Sequence, residues 1–221
     1  MNTQPIHRQT AHSALNGALV MNCQVVSRQR VEDHGEVYTH PREVNAMLDL
    51  VGHECERIES RFLEPACGTG NFLVEVLARK LAVVERRYAA SPIEFEQYAV
   101  LAVASLYGID LLADNVEACR ARLYGLFADT YQRLYRAAIK PACLDSVRHI
   151  LSVNIVQGDA LTLKTDAAQP IVFAEWSPVQ GGFIRRRDYV YEDLILKSQD
   201  RELPLFSDHG EEAFIPDPSH E

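Results

Sequence analysis

Glu64-Pro65-Ala66-Cys67-Gly68-Thr69-Gly70-Asn71-Phe72 is the stretch on which the fold turns. A short run, Arg61-Phe62-Leu63, precedes it and suits a buried strand over 61–64. The residues from Phe72 to Lys80 follow with apolar positions at helical spacing, which predicts a helix over about 71–86. A strand, a Gly-x-Gly turn and a helix together outline a nucleotide-sized pocket. Gly68 and Gly70 let backbone approach a ligand closely, and the helix start brings N–H groups to the same place. A Gly-x-Gly turn alone is equally compatible with a plain helix start. Glu64 at the strand end adds information: a carboxylate there would repel a phosphate and favour a cationic ligand.

The pattern continues downstream. Ser91-Pro92 opens a second helical stretch through Phe95, Tyr98, Val100, Leu101 and Val103. Leu106-Tyr107-Gly108-Ile109-Asp110 reads as a second strand ending in a carboxylate, and Asn115 to Arg136 as a long helix. Val153-Asn154-Ile155-Val156 reads as a third strand, closed by Gln157-Gly158-Asp159. Ile171-Val172-Phe173-Ala174 reads as a fourth, apolar on both faces and close to an open edge. Upstream, Thr39 is a candidate helix cap before Pro41, with Val44, Met47, Leu48 and Val51 as an apolar stripe at helical spacing. Strands alternating with helices argue for an α/β fold, a parallel sheet covered by helices on both faces. Ligands of such sheets bind outside the carboxyl ends of the strands. Glu64, Asp110 and Asp159 end three successive strands. Taken singly, each acid is more often a turn or cap residue than a ligand contact; in series behind a glycine loop, they favour a site.

Composition bounds the rest. The chain has 221 residues with net charge −9. The charge argues against a protein that holds nucleic acid unaided, although Arg185-Arg186-Arg187 with Arg28 and Arg30 offers a local basic cluster. No apolar run approaches the ~20 residues of a membrane span, and Met1 to Gln24 lacks the pattern of a signal peptide. Cys23, Cys55, Cys67, Cys119 and Cys143 are scattered, so a reduced, cytoplasmic setting with neither metal nor disulfide is expected. The chain divides into a loose arm over 1–24, a domain over 25–197 and an acidic, proline-broken tail over 198–221 that reads as mobile.

Glu64–Phe72 resembles the cofactor loop of S-adenosylmethionine-dependent methyltransferases, in the form found in DNA adenine-N6 methyltransferases of restriction-modification systems. Gly35-Glu36-Val37-Tyr38-Thr39-His40-Pro41 is similar to the family's N-terminal motif, with His40 added between Thr39 and Pro41. Tyr107-Gly108-Ile109-Asp110 is similar to its ribose motif and Gln157-Gly158-Asp159-Ala160-Leu161 to its adenine motif. The likeness covers about residues 25–195. It implies a Rossmann-like class I methyltransferase fold with S-adenosyl-L-methionine as cofactor. Tyr38 and Thr39 would close over the cofactor's carboxylate end. Glu64, Pro65, Ala66, Cys67, Gly68, Gly70, Asn71 and Phe72 would hold the methionine part. Asp110 would accept both ribose hydroxyls and Asp159 an adenine N6 hydrogen, with Leu111, Ala160 and Leu161 against the ring.

The family's acceptor motif is Asn/Asp/Ser-Pro-Pro-aromatic after strand four, where it localises the N6 lone pair of an extruded adenine. This chain has Trp176-Ser177-Pro178-Val179-Gln180 there. Ser177 and Pro178 can stand for the first two positions; Trp176 is the nearby ring, although packing suits it better than stacking. The sheet also reads as truncated after strand four or five, with a further hairpin from Phe183-Ile184 and Tyr189-Val190-Tyr191. These departures imply a methyltransferase or methyltransferase subunit that meets DNA within a complex, a partner subunit or second copy covering the strand-four edge. Two alternatives stay open: a degenerate methyltransferase-like binding or regulatory protein, and a methyltransferase for another substrate.

Overall fold

Leu106–Asp110 forms the middle strand, β2, of a parallel sheet ordered β1-β2-β3, with Phe62–Glu64 as β1 and Ile155–Gln157 as β3. The computed structural model describes residues 39–179, 184–199 and 212–213. The helices are Pro41–Leu50 (α1), Gly52–Cys55 (α2), Asn71–Tyr88 (α3), Pro92–Ala104 (α4), Ala113–Tyr135 (α5), Pro141–Asn154 (α6) and Tyr191–Gln199 (α7). Strand β1 is linked to β2 through α3 and α4, and β2 to β3 through α5 and α6, as a parallel sheet with helical crossovers requires. None of the helices is long and apolar enough to cross a membrane, and among the described residues no group of His, Cys, Asp or Glu is placed to hold a metal ion.

The two faces of β2 are covered differently. Leu106 enters the main core, and a side chain at Gly108 would meet Cys67 and Leu73 within 3.2 Å. The close approach of α3 and its loop depends on that glycine. Tyr107 and Ile109 point the other way and pack with Ile171, Phe173 and Tyr191. Cover on this second face therefore comes from a strand and from the first residue of α7, not from crossover helices as expected.

That strand, Val172–Pro178 (β4), is longer than the expected Ile171–Ala174. It pairs antiparallel with Ile184–Val190 (β5), and β5 pairs with Glu212–Ala213 (β6). It does not join the parallel sheet. Ile171 bonds to Leu163 in the segment after β3, whereas Ala174 N–H donates to Asn154 Oδ1, just before β3. Glu175 meets Arg61, just before β1. The strand thus starts at the carboxyl end of the parallel sheet and runs back toward its amino end. Its expected open edge is closed at Ala174, whose carbonyl accepts from Tyr107 Oη at 3.1 Å while its N–H is taken by Asn154. Of the expected hairpin over 183–191, Phe183 lies outside the described residues, Ile184–Val190 is instead one continuous strand, and Tyr191 begins a helix.

Other differences are local. The cap of α1 is the inserted His40, not Thr39: His40 Nδ1 accepts from Arg42 N–H, and the Glu43 carboxylate accepts from His40 N–H. Val44 and Leu48 are buried on α1, but Met47 and Val51 are exposed. Val153 and Asn154 end helix α6 and do not belong to the third strand. The 197/198 boundary falls inside α7, and Glu212–Ala213 of the tail is paired with β5. The arm over 1–24, with Arg28, Arg30 and Tyr38, lies outside the described residues, as does Gln180.

Candidate functional site

The carboxyl ends of β1, β2 and β3 are brought together by register: Glu64 lies beside Gly108, Asp110 beside Gln157, and Gly158 N–H donates to Asp110 O at 2.9 Å. The glycine loop arches over these ends. Cys67 N–H donates to Ile109 O and Gly70 N–H to Cys67 O, each at 2.8 Å, and Gly68 N–H donates to Asp110 Oδ2 at 2.8 Å. Two of the N–H groups expected to face a ligand are therefore spent on fixing the loop. Gly68 and Gly70 adopt φ of +51° and +85°, conformations that side chains other than glycine rarely take. Gly70 then caps α3, with Val74 N–H on its carbonyl.

Gly70 is also a packing requirement. A Cβ there would sit 2.6 Å from Cys119 Sγ. Gly70→Ala should cost about 2 kcal/mol of stability from backbone strain and overpacking together. Adding Cys119→Ala should recover the steric part, as read by urea unfolding of the single and double variants.

Asp110 is the most connected acid. Beyond Gly68, its Oδ1 accepts from Leu112 N–H at 2.9 Å and Asn115 Nδ2 at 3.1 Å. A carboxylate offers roughly four acceptor positions, so this one has room for about one more donor, not the two ribose hydroxyls expected of it. Asp159 closes its own turn: Leu161 N–H donates to Oδ1 at 2.8 Å, which with Thr162 holds the carboxyl below its ordinary range. Asp159 thus keeps its charge and acts first as a turn residue.

Glu64 is different. It is half-buried, and burial pushes its carboxyl up; among the described residues the one opposing influence is Ala66 N–H at 3.4 Å. Cys67 beneath it is buried, and its thiol is pushed up by the hydrogen bond with Cys119, by burial, and by the nearby Asp110 and Glu64 carboxylates. That thiol stays protonated, so it lines the site without acting as a nucleophile. Leu111 and Leu161 beside the acids are 54% and 94% exposed, apolar surface at the mouth of the site. Asn71 starts α3, with Phe72 packed against the core, and Asn71 Nδ2 donates to Thr39 O at 3.4 Å, which brings the segment before α1 to the loop.

The residues expected to act on an acceptor are elsewhere. Trp176 is 5% exposed and packs edge-on to His149 of α6 at 5.8 Å, with the Arg186 guanidinium over its ring. Ser177 and Pro178 lie within β4, opposite Arg185 and Ile184. Because β4 runs toward the amino end of the parallel sheet, this tripeptide is turned away from the loop. The basic triplet is divided by strand alternation: Arg186 pairs with Asp188, while Arg185 and Arg187 lie on the other face opposite Ser177 and Glu175.

Sequence reading overlooked one side of the site. Asn115, Cys119 and Arg122 recur at i, i+4 and i+7 on α5 and face the loop: Asn115 holds Asp110, Cys119 packs under Gly70, and Arg122 Nη1 donates to Thr69 O, Thr69 Oγ1 and Asn71 Oδ1. A polar stripe at helical spacing directly after a strand-ending Asp is the signal that was there to be read. Comparison with protein-family models, with curated proteins and with solved structures finds no match to this chain.

Proposed function

We propose that the carboxyl end of the parallel sheet binds S-adenosylmethionine and that the chain is a DNA adenine-N6 methyltransferase, or the cofactor-binding subunit of one, in a restriction-modification system. The observation that carries this is Glu64: a half-buried carboxyl raised by burial, with no cation among its described neighbours. Such a group gains most from a ligand that brings positive charge, as the amine and sulfonium of the cofactor do. The exposed Leu111 and Leu161 supply apolar walls for a purine, and Asp110 keeps room for about one ribose hydroxyl.

The orientation of Trp176-Ser177-Pro178 favours a division of labour. This chain would hold the methyl donor, and a partner would supply the acceptor motif and the contacts to DNA. The same observation supports the second reading, a methyltransferase-like binding protein that retains cofactor without transfer. Calorimetric titration with S-adenosylmethionine tests both, since each requires uptake by the purified chain; absence of heat and of any thermal shift would sink them together. Methylation of an adenine-containing duplex by the chain alone would sink the divided version.

Glu64→Gln separates binding from folding. The folded pKa of Glu64 lies above its ordinary 4.5, so its ionisation costs folded-state stability as pH rises through that value. Glutamine should therefore leave the free protein slightly more stable at neutral pH while weakening the cofactor about tenfold or more. In the parent protein affinity should fall as acid protonates Glu64, and in the variant this pH dependence should flatten. Calorimetry across an acid-to-neutral series reads both effects.

A further inference from the structure

We propose that Arg122 is the positioning residue of the glycine loop, fixing both the Thr69 backbone and the orientation of the Asn71 amide. This rests on the cofactor-site reading above, and it concerns a residue outside the loop and outside the motifs that suggested that reading. One terminal nitrogen of Arg122 reaches Thr69 O at 2.7 Å, Thr69 Oγ1 at 3.1 Å and Asn71 Oδ1 at 2.7 Å. These contacts bridge 51 to 53 residues of sequence, from α5 to the turn that starts α3.

The chemistry gives the arrangement a direction. A guanidinium only donates, so the atom of Asn71 facing it must be the carbonyl oxygen. The Asn71 NH2 group is then directed outward, where it donates to Thr39 O. Arg122 therefore selects one of the two amide orientations, and through it ties the segment entering α1 to the loop. Gly68 is held separately by Asp110 and Gly70 by Cys67, so Thr69-Asn71 is the part of the turn that depends on α5 for its order. Arg122 is itself exposed and fills no core position, so its loss should act on the loop and not on global folding.

Arg122→Ala is expected to accelerate amide hydrogen exchange over 69–72 by about tenfold and to weaken S-adenosylmethionine binding by about tenfold, at an unchanged melting temperature. Because the contacts come from a single nitrogen, Arg122→Lys should restore most of both; a residue that merely added surface stability would move the melting temperature and show no such rescue. Unchanged exchange over 69–72 in Arg122→Ala overturns the proposal, as does faster exchange that Arg122→Lys fails to slow. If the parent chain takes up no nucleoside while exchange still responds to both variants as expected, the cofactor reading fails and the loop-positioning role stands.

Discussion

Asp110→Ala should abolish measurable S-adenosylmethionine uptake and lower stability by about 3 kcal/mol, near the sum of three hydrogen bonds to one side chain that is only partly shielded from water. The structural reason is that Asp110 joins three parts of the site. Its Oδ2 holds Gly68, its Oδ1 holds Leu112 N–H and Asn115 Nδ2, and its own carbonyl holds Gly158. The first bond fixes the loop after β1, the second and third fix the entry into α5, and the backbone bond links to the turn after β3. Removing the carboxylate also takes a negative charge from the N-terminal end of α5, where the helix dipole favours it. Asp110→Asn should fare little better, because its NH2 must face one of the same donors. Urea unfolding and calorimetry on the two variants check this. Wild-type affinity in Asp110→Ala would show that the ligand sits elsewhere.

That central role explains why β2 was the most legible element. Leu106–Asp110 is a short apolar run between a helix ending at Ala104 and a helix beginning at Ala113, and its polarity changes sharply at Asp110. Helix α4 is equally clear, since Ser91 and Pro92 mark a start that owes nothing to tertiary packing: Ser91 Oγ accepts from Glu94 N–H. Helix α6 is harder to see in the sequence, although Cys143, Val147, Ile150, Leu151 and Asn154 make a buried stripe at helical spacing. The β-branched cluster Val153, Ile155 and Val156 straddles the helix–strand junction and pulled the strand back by two residues.

Strand direction was beyond the sequence. Four apolar residues at 171–174 are equally consistent with a parallel strand buried on both faces and with an edge strand pressed onto the domain. What decides is Asn154 and Tyr107, side chains far apart in sequence that satisfy both backbone groups of Ala174. The consequence for function is large, because direction alone determines whether Ser177-Pro178 ends at the loop or away from it. The same limit applies to Trp176: buried against His149, its indole N–H makes no hydrogen bond among the described residues, which fits a packing residue and not one held ready for a base.

Lys80→Met should be as damaging as the loss of Asp110, at the opposite end of the sheet and with no direct effect on ligand chemistry. Lys80 is fully buried, donates to Ile58 O at 2.9 Å, Ser105 Oγ at 2.6 Å and Ser60 O, and lies over the Phe62 ring. It thereby ties α3 to the residues that lead into β1 and β2. Methionine fills the volume but leaves three acceptors without their donor, a loss of about 3 kcal/mol. The pH dependence identifies the cause. Burial lowers the ammonium from 10.5 to about 8, so between those values the unfolded chain binds more protons than the folded one, and this residue's contribution grows with pH. The shift amounts to about 3 kcal/mol across the window. Cys143 and Tyr107, each raised to about 12 by burial, withdraw stability above their ordinary 9.0 and 10.0, but they do so in parent and variant alike. The stability gap between parent and Lys80→Met should therefore widen from about pH 8 to 10.5, as read from urea midpoints. A gap that stays constant through this range would mean that Lys80 keeps its ordinary proton affinity, and that its ammonium is reached by water.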